Sequence, residues 1–241
     1  MCTVTFLPLG GQRFILASNR DESRLRPSAL PPQPYREGPV LAVYPKDTEA
    51  QGTWIASADN GYTLVLLNGA FEAHLRQPPY RRSRGLMVLD FFRFNDVQHF
   101  ARTYDFTGIE PFTLLVLKEG ELLEMNELRW DAGQLPLTEV DTSRPHVWSS
   151  VTLYPAPVRR QREQWFARWL EGRPEPELDD ILQFHRFGGT GDTTNDVRMR
   201  RSEVFTVSIT AVTNLNGPVE MLYEDLINHA TTSLKAVYEE Q

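Results

Sequence analysis

The chain predicts an α+β fold: two antiparallel sheets with helix layers packed on their outer faces. Three observations carry this. Short apolar runs separated by turn residues recur through the first half and mark hairpins. Helical apolar spacing appears over 83–104 and again over 155–187. A long alternating strand over 204–213, with a partner over 218–223, closes the pattern. With 241 residues, 41% of them hydrophobic, the chain can bury a sizeable core, and residues 1–241 are read as one domain.

The first element is a hairpin. Thr3 to Leu7 is β-rich, Pro8 to Gln12 is turn chemistry, and Arg13 to Ser18 returns. Paired strands of similar length align their ends, so Asn19-Arg20-Asp21-Glu22 comes back beside residue 2. Residues 23–53 carry six prolines, at 27, 31, 32, 34, 39 and 45. They predict an irregular loop with one short strand at 40–44, either a wall of a substrate entrance or a surface meander. Asp59-Asn60-Gly61 lies between apolar runs, a strong hairpin signal, and the second strand ends at Asn68-Gly69.

Ser83 to Phe94 predicts a helix, and Asn95 is placed as the N-cap of another. The phenylalanines at 91, 92, 94, 100 and 106 suit core packing or an acyl or ring pocket. Phe112–Lys118 and Glu121–Asn126 form a hairpin, with strand material near 135–137 and 146–150. Pro155–Glu171 is an amphipathic helix with Arg159–Arg162 placed toward solvent, and Glu177–Phe187 is a helix with His185 near its apolar stripe. Phe187–Asp192 lacks the Lys-Ser/Thr ending of a phosphate loop and is read as a flexible loop. Residues 225–241 are read as a weak terminal helix.

Charge and composition exclude several function classes. The net charge is −7, with three short basic clusters at 81–84, 159–162 and 198–201, which argues against nucleic acid as a partner. The five histidines are scattered and there is one cysteine. No metal site, disulfide framework or cofactor is therefore predicted. No run of about 18 apolar residues predicts a membrane span, and no signal peptide is readable. The expectation is a cytoplasmic protein of unspecified oligomeric state.

The chemistry concentrates at the start. Cys2 is the only cysteine. Once Met1 is removed, its carbon carries both a thiol and a free α-amine. An α-amine of pKa about 7.7–8.0 is partly neutral near pH 7 and can take the proton of a thiol of pKa about 8.5. This is how an N-terminal nucleophile is activated. A lone terminal cysteine is otherwise a small apolar residue without a role.

Met1-Cys2-Thr3, Asn19-Arg20-Asp21-Glu22, Arg26-Pro27, Pro31-Pro32, Gly52-Thr53-Trp54 and Leu66-Leu67-Asn68 together resemble the NRDE family, also called transport and Golgi organisation 2. The match is tightest over the first 70 or so residues. One departure is Gln51, where the family usually has glycine before Gly-Thr-Trp. The resemblance implies a four-layer αββα core like that of N-terminal-nucleophile (Ntn) hydrolases. It implies Cys2 as nucleophile, Asp21 as partner of the α-amine and Asn68 at an oxyanion hole. Related amidases carry Arg-Asn-x-Asp where this chain has Ser18-Asn19-Arg20-Asp21, so the arginine is moved two places along one strand face, about 6–7 Å.

By the same resemblance Asn19, Arg20, Ser150 and Arg201 are candidate substrate contacts. Ser150 stands where the related amidases have an oxyanion-binding asparagine, and a hydroxyl is a shorter, single donor. Two functions are implied: hydrolysis of a small-molecule, non-peptide amide, or carriage of haem or a lipid-like ligand such as acyl-CoA on a non-catalytic Ntn shell.

Overall fold

The computed structural model describes residues 3–94, 96–215 and 217–235. The opening hairpin forms as its apolar runs require: β1 (Thr3–Pro8) pairs with β2 (Phe14–Ser23), Thr3 facing Asn19. β2 runs five residues beyond Ser18, so the Asn19–Glu22 tetrad lies within a strand and not in a turn. Next come β3 (Leu30–Glu37), β4 (Val40–Lys46), β5 (Ile55–Ala58) and β6 (Tyr62–Asn68). Two short helices follow, α1 (Arg84–Asp90), extended by a 3-10 turn at Phe91–Arg93, and α2 (Val97–Thr103). Then come β7 (Phe112–Lys118), β8 (Glu124–Trp130), β9 (Leu137–Val140), β10 (His146–Ser149), α3 (Ala156–Glu171) and α4 (Leu178–Phe187). β11 (Val204–Asn214), β12 (Glu220–Asp225) and β13 (Ala230–Lys235) complete the order.

The strands form a six-stranded sheet, β10-β1-β2-β11-β12-β13, and a seven-stranded sheet, β3 to β9 in sequence order. Every pairing is antiparallel. Three buried clusters define four layers. Val4, Phe6, Phe14, Leu16 and Val212 of the first sheet meet Val43, Ile55, Val65, Leu115 and Met125 of the second. The outer face of the first sheet, with Ile15, Ala17, Ile209 and Ala211, packs on Trp165 and Phe166 of α3 and Ile181, Leu182 and Phe184 of α4. The outer face of the second, with Ala42, Leu64 and Leu114, packs on Met87, Val88, Phe91 and Phe100. Both strand faces are buried because each sheet sits between the other sheet and a helix layer. That explains why β6 and β7 read as unbroken apolar runs, not as alternation. The aromatic residues at 91, 92, 94, 100 and 106 pack among themselves edge-to-face in this outer layer, so they serve packing.

Four expectations are corrected. Residues 23–53 hold a second strand: β3 lies at the edge of its sheet, with an irregularity between Leu30 and Gln33. Prolines at 31, 32 and 34 lack the N–H for an interior ladder, but an edge strand tolerates them. Of the tail, residues 225–235 are not helical, and 236–241 lie outside the described residues. The Asp225 carboxylate accepts the backbone N–H groups of Ile227 and Asn228, closing a turn that returns the chain as β13. The cap of α2 is Asp96, whose side chain accepts the His99 N–H; Asn95 lies outside the described residues. Arg162, placed toward solvent by sequence, is wholly buried.

Candidate active site

Alternation along β2 deals the tetrad onto two faces. Asn19 follows Ile15 and Ala17 toward α3 and α4, while Arg20 follows Phe14 and Leu16 toward the second sheet. Asn19 becomes part of a buried polar knot. Its Nδ2 donates to the carbonyls of His185 (3.1 Å) and Val197 (2.8 Å). Its Oδ1 therefore accepts from His185 Nδ1 (2.6 Å), which leaves Nε2 to accept from the Thr5 hydroxyl (2.8 Å). Burial, with the Arg162 charge nearby, pushes the His185 imidazole down to about 3. His185 is packed and neutral.

Asp21 is buried and held at both carboxylate oxygens. Tyr154 Oη donates to Oδ2 (2.6 Å), and Thr206 Oγ1 donates to Oδ1 (2.5 Å). The second bond depends on a bulge. In β11, Ser208 pairs with Arg20 while Thr206 pairs with Asp21, so Val207 is the inserted residue. Because side chains alternate with period two, that one insertion moves Thr206 to the face that Asp21 occupies.

Arg20 is also buried. Its Nη2 donates to Asp47 Oδ2 (2.6 Å), and its guanidinium lies 4.2 Å from the Trp54 ring centroid. Arg26 bonds the same carboxylate through Nε (2.9 Å) and Nη2 (3.0 Å), and the N–H of Ala50 donates to it (2.7 Å). Burial pushes the Asp47 carboxyl upward, but the Arg26 and Ala50 hydrogen bonds and the Arg20 and Arg26 charges outweigh it, leaving the group below its ordinary value. Arg20 thus ties β2 to the 47–53 loop. That loop in turn meets α1 where a Cβ on Gly52 would stand 2.3 Å from the carbonyl carbon of Gly85.

Asn68 ends β6. Among the described residues no hydrogen bond is made by its side-chain amide, whereas its backbone carbonyl accepts the Ser150 hydroxyl (2.9 Å). Gly69 follows at φ +83°, and a Cβ there would meet Thr152 Cγ2 at 3.0 Å. The glycine lets the strand end close against the 150–154 turn.

These parts surround one cleft of about 620 Å³, lined by Arg20, Asp21, Asn68, Trp54, Arg84 and Glu110 among others. On the wall beyond Asn68, buried Glu110 is shared by Arg84 (3.1 Å), His74 (3.1 Å) and Arg76 (3.5 Å). Asp21, Arg20 and Asn68 therefore come together. Asn19 and Ser150 are buried behind them. Arg201 donates to the carbonyls of Thr194 and Leu153 (both 3.1 Å), and its guanidinium lies 5.2 Å from the Tyr154 ring centroid. Cys2 lies outside the described residues. Thr3, the first described residue, pairs with Asn19 and Ser149, so Arg20, Asp21 and Ser150 extend past it on the flanking strands.

Sequence reasoning missed Tyr154, Thr206, Asp47 and Arg162. Each reaches the site from more than twenty residues away in sequence, and only Trp54 lay in a motif. Among the described residues, no group of three or more His, Cys, Asp or Glu side chains is placed to hold a metal ion. No helix among them is long and apolar enough to cross a membrane.

Comparison with known proteins agrees with this architecture. The fold resembles a Caenorhabditis elegans N-acylethanolamine-hydrolyzing acid amidase orthologue (TM-score 0.59, 11% identity, covering 87% of this chain and 92% of that one). It resembles penicillin V acylase from Agrobacterium tumefaciens (0.55, 11%, covering 97% and 86%). It also resembles a variant of the conjugated bile acid hydrolase from Clostridium perfringens (0.58, 10%, covering 99% and 94%). These are Ntn-hydrolase folds, and at such identities the likeness shows the fold alone. No curated protein sequence matches. The Transport and Golgi organisation 2 model matches residues 1–196, more than half of the chain, and the chain belongs to that family.

Proposed function

We propose that the protein is an N-terminal-nucleophile hydrolase that cleaves the C–N bond of a small-molecule, non-peptide amide. The observation that carries this is that Asp21 and Asn68 line one cleft, at the end of the hairpin where the described chain begins. With Met1 removed, the Cys2 sulfur attacks the amide carbonyl carbon and its proton passes to the α-amine. Asp21 holds that amine by a charge-assisted hydrogen bond. The Asn68 Nδ2 donates to the developing oxyanion. The C–N bond breaks as the leaving amine takes the proton from the α-amine, and water then hydrolyses the thioester, releasing the carboxylic acid and restoring the Cys2 thiol. Arg20, already bound by Asp47, keeps its wall of the cleft rigid. Arg201 acts from behind Tyr154.

The test is turnover of a fluorogenic amide panel by the chain and by Cys2→Ala. Hydrolysis abolished by the substitution supports the mechanism; hydrolysis that survives it removes Cys2 from the chemistry.

One observation favours a second reading. The Ser150 hydroxyl is committed to the Asn68 carbonyl, so it gives the cleft no oxyanion donor. A carrier of haem or a lipid-like ligand needs none. Titration with haem and with acyl-CoA separates the readings: tight binding without turnover, unchanged in Cys2→Ala, belongs to the carrier.

A further inference from the structure

The Tyr154 ring is wedged between two cations. The Arg162 guanidinium lies 3.5 Å from its centroid and that of Arg201 5.2 Å. Arg162 is itself wholly buried. It donates to Thr3 Oγ1 (2.5 Å) and to the carbonyls of Asn195 (3.0 Å) and Asp196 (2.5 Å). A buried arginine is costly unless its donors are satisfied, and here they are spent on the start of β1 and on a loop. One side chain thereby fixes the first described residue of the chain and the ring whose hydroxyl bonds Asp21.

We propose that Tyr154, held by Arg162 and Arg201, is the positioning residue that aims the Asp21 carboxylate at the chain's N-terminal end, with Thr206 as its counterpart on the other oxygen. This rests on the reading of Asp21 as the partner of the α-amine. The physics is that of a fixed plane. One short O–H···O bond on each carboxylate oxygen removes rotation about the side-chain torsion, while each oxygen keeps further acceptor capacity. Two guanidinium groups over the ring hold it in place by cation–π attraction. The arrangement binds nothing itself; it sets the direction of a group that does.

The chain's single cysteine provides a readout that needs no substrate. The rate of iodoacetamide alkylation, followed against pH by intact mass, reports the surroundings of Cys2 alone. Tyr154→Phe keeps the ring between the guanidinium groups and deletes only the hydroxyl. The expected result is an alkylation profile displaced from wild type in a chain that still melts cooperatively, at a modestly lower temperature. On any amide the enzyme turns over, kcat falls about 10- to 100-fold with KM within about twofold, the scale of a small misplacement of a reacting group. Thr206→Val is expected to displace the profile likewise. Tyr154→Leu also removes the seat of Arg162 and is expected to lower the melting temperature. A Tyr154→Phe profile superimposed on wild type overturns the proposal. If Asp21→Asn displaces the profile and Tyr154→Phe does not, the positioning role alone falls. If neither does, the role of Asp21 falls with it.

Discussion

At the scale of single residues, burial decides which polar groups react and which only hold. His185 shows the second case. Its imidazole is wholly buried, bonded on both nitrogens and pushed down to about 3. A histidine whose folded pKa lies below its unfolded value of about 6.5 gives full stability above that value. As pH falls from 6.5 toward 3 the unfolded chain takes up a proton that the folded chain refuses, at about 1.4 kcal/mol per pH unit. Urea midpoints measured between pH 7 and pH 4 are expected to fall accordingly, and His185→Gln is expected to flatten that slope. Asn68, which lines the cleft, is proposed as the first case. Asn68→Ala is expected to lower kcat by about 100-fold or more, with little change in melting temperature, as loss of an oxyanion donor does. An unchanged kcat would take Asn68 out of the site.

At the scale of elements, two local devices place the site. The Val207 bulge turns Thr206 toward Asp21, and nothing in the alternating run Val204–Thr213 announces it. Gly69 ends β6 in the left-handed region, and its place after Asn68 was legible as a turn. Gly69→Ala is expected to cost about 1–3 kcal/mol through backbone strain, read as a lower chemical-denaturation midpoint. It is also expected to depress activity by moving Asn68. Gln51 adopts φ +58° where the family usually has glycine, so the departure seen in sequence is a strained position in the loop that Asp47 anchors. The hairpins, α3 and α4 were readable because their periodicities were strong. β3 and β13 were not, because one is proline-broken and the other is a short polar edge strand following an Asp-capped turn.

At the scale of the whole molecule, the four layers explain both what was visible and what was hidden. Strands buried on both faces appear as apolar runs, so the two sheets and their outer helices could be inferred from 241 letters. The site lies at the ends of strands from both sheets, where long-range partners meet. Tyr154 and Arg162 follow β10, Thr206 is on β11 and Asp47 follows β4; no local pattern joins them to the tetrad. The family motif marked Asp21 and Asn68, and the fold supplied their supports. The proposed mechanism requires a terminal thiol with a free amine, and one experiment reads that directly: intact mass of the purified chain before and after mixing with an activated acyl substrate. That mechanism gives a parent mass without Met1 and a single acyl adduct that is absent in Cys2→Ala. A retained Met1, or an adduct that persists in Cys2→Ala, would contradict it.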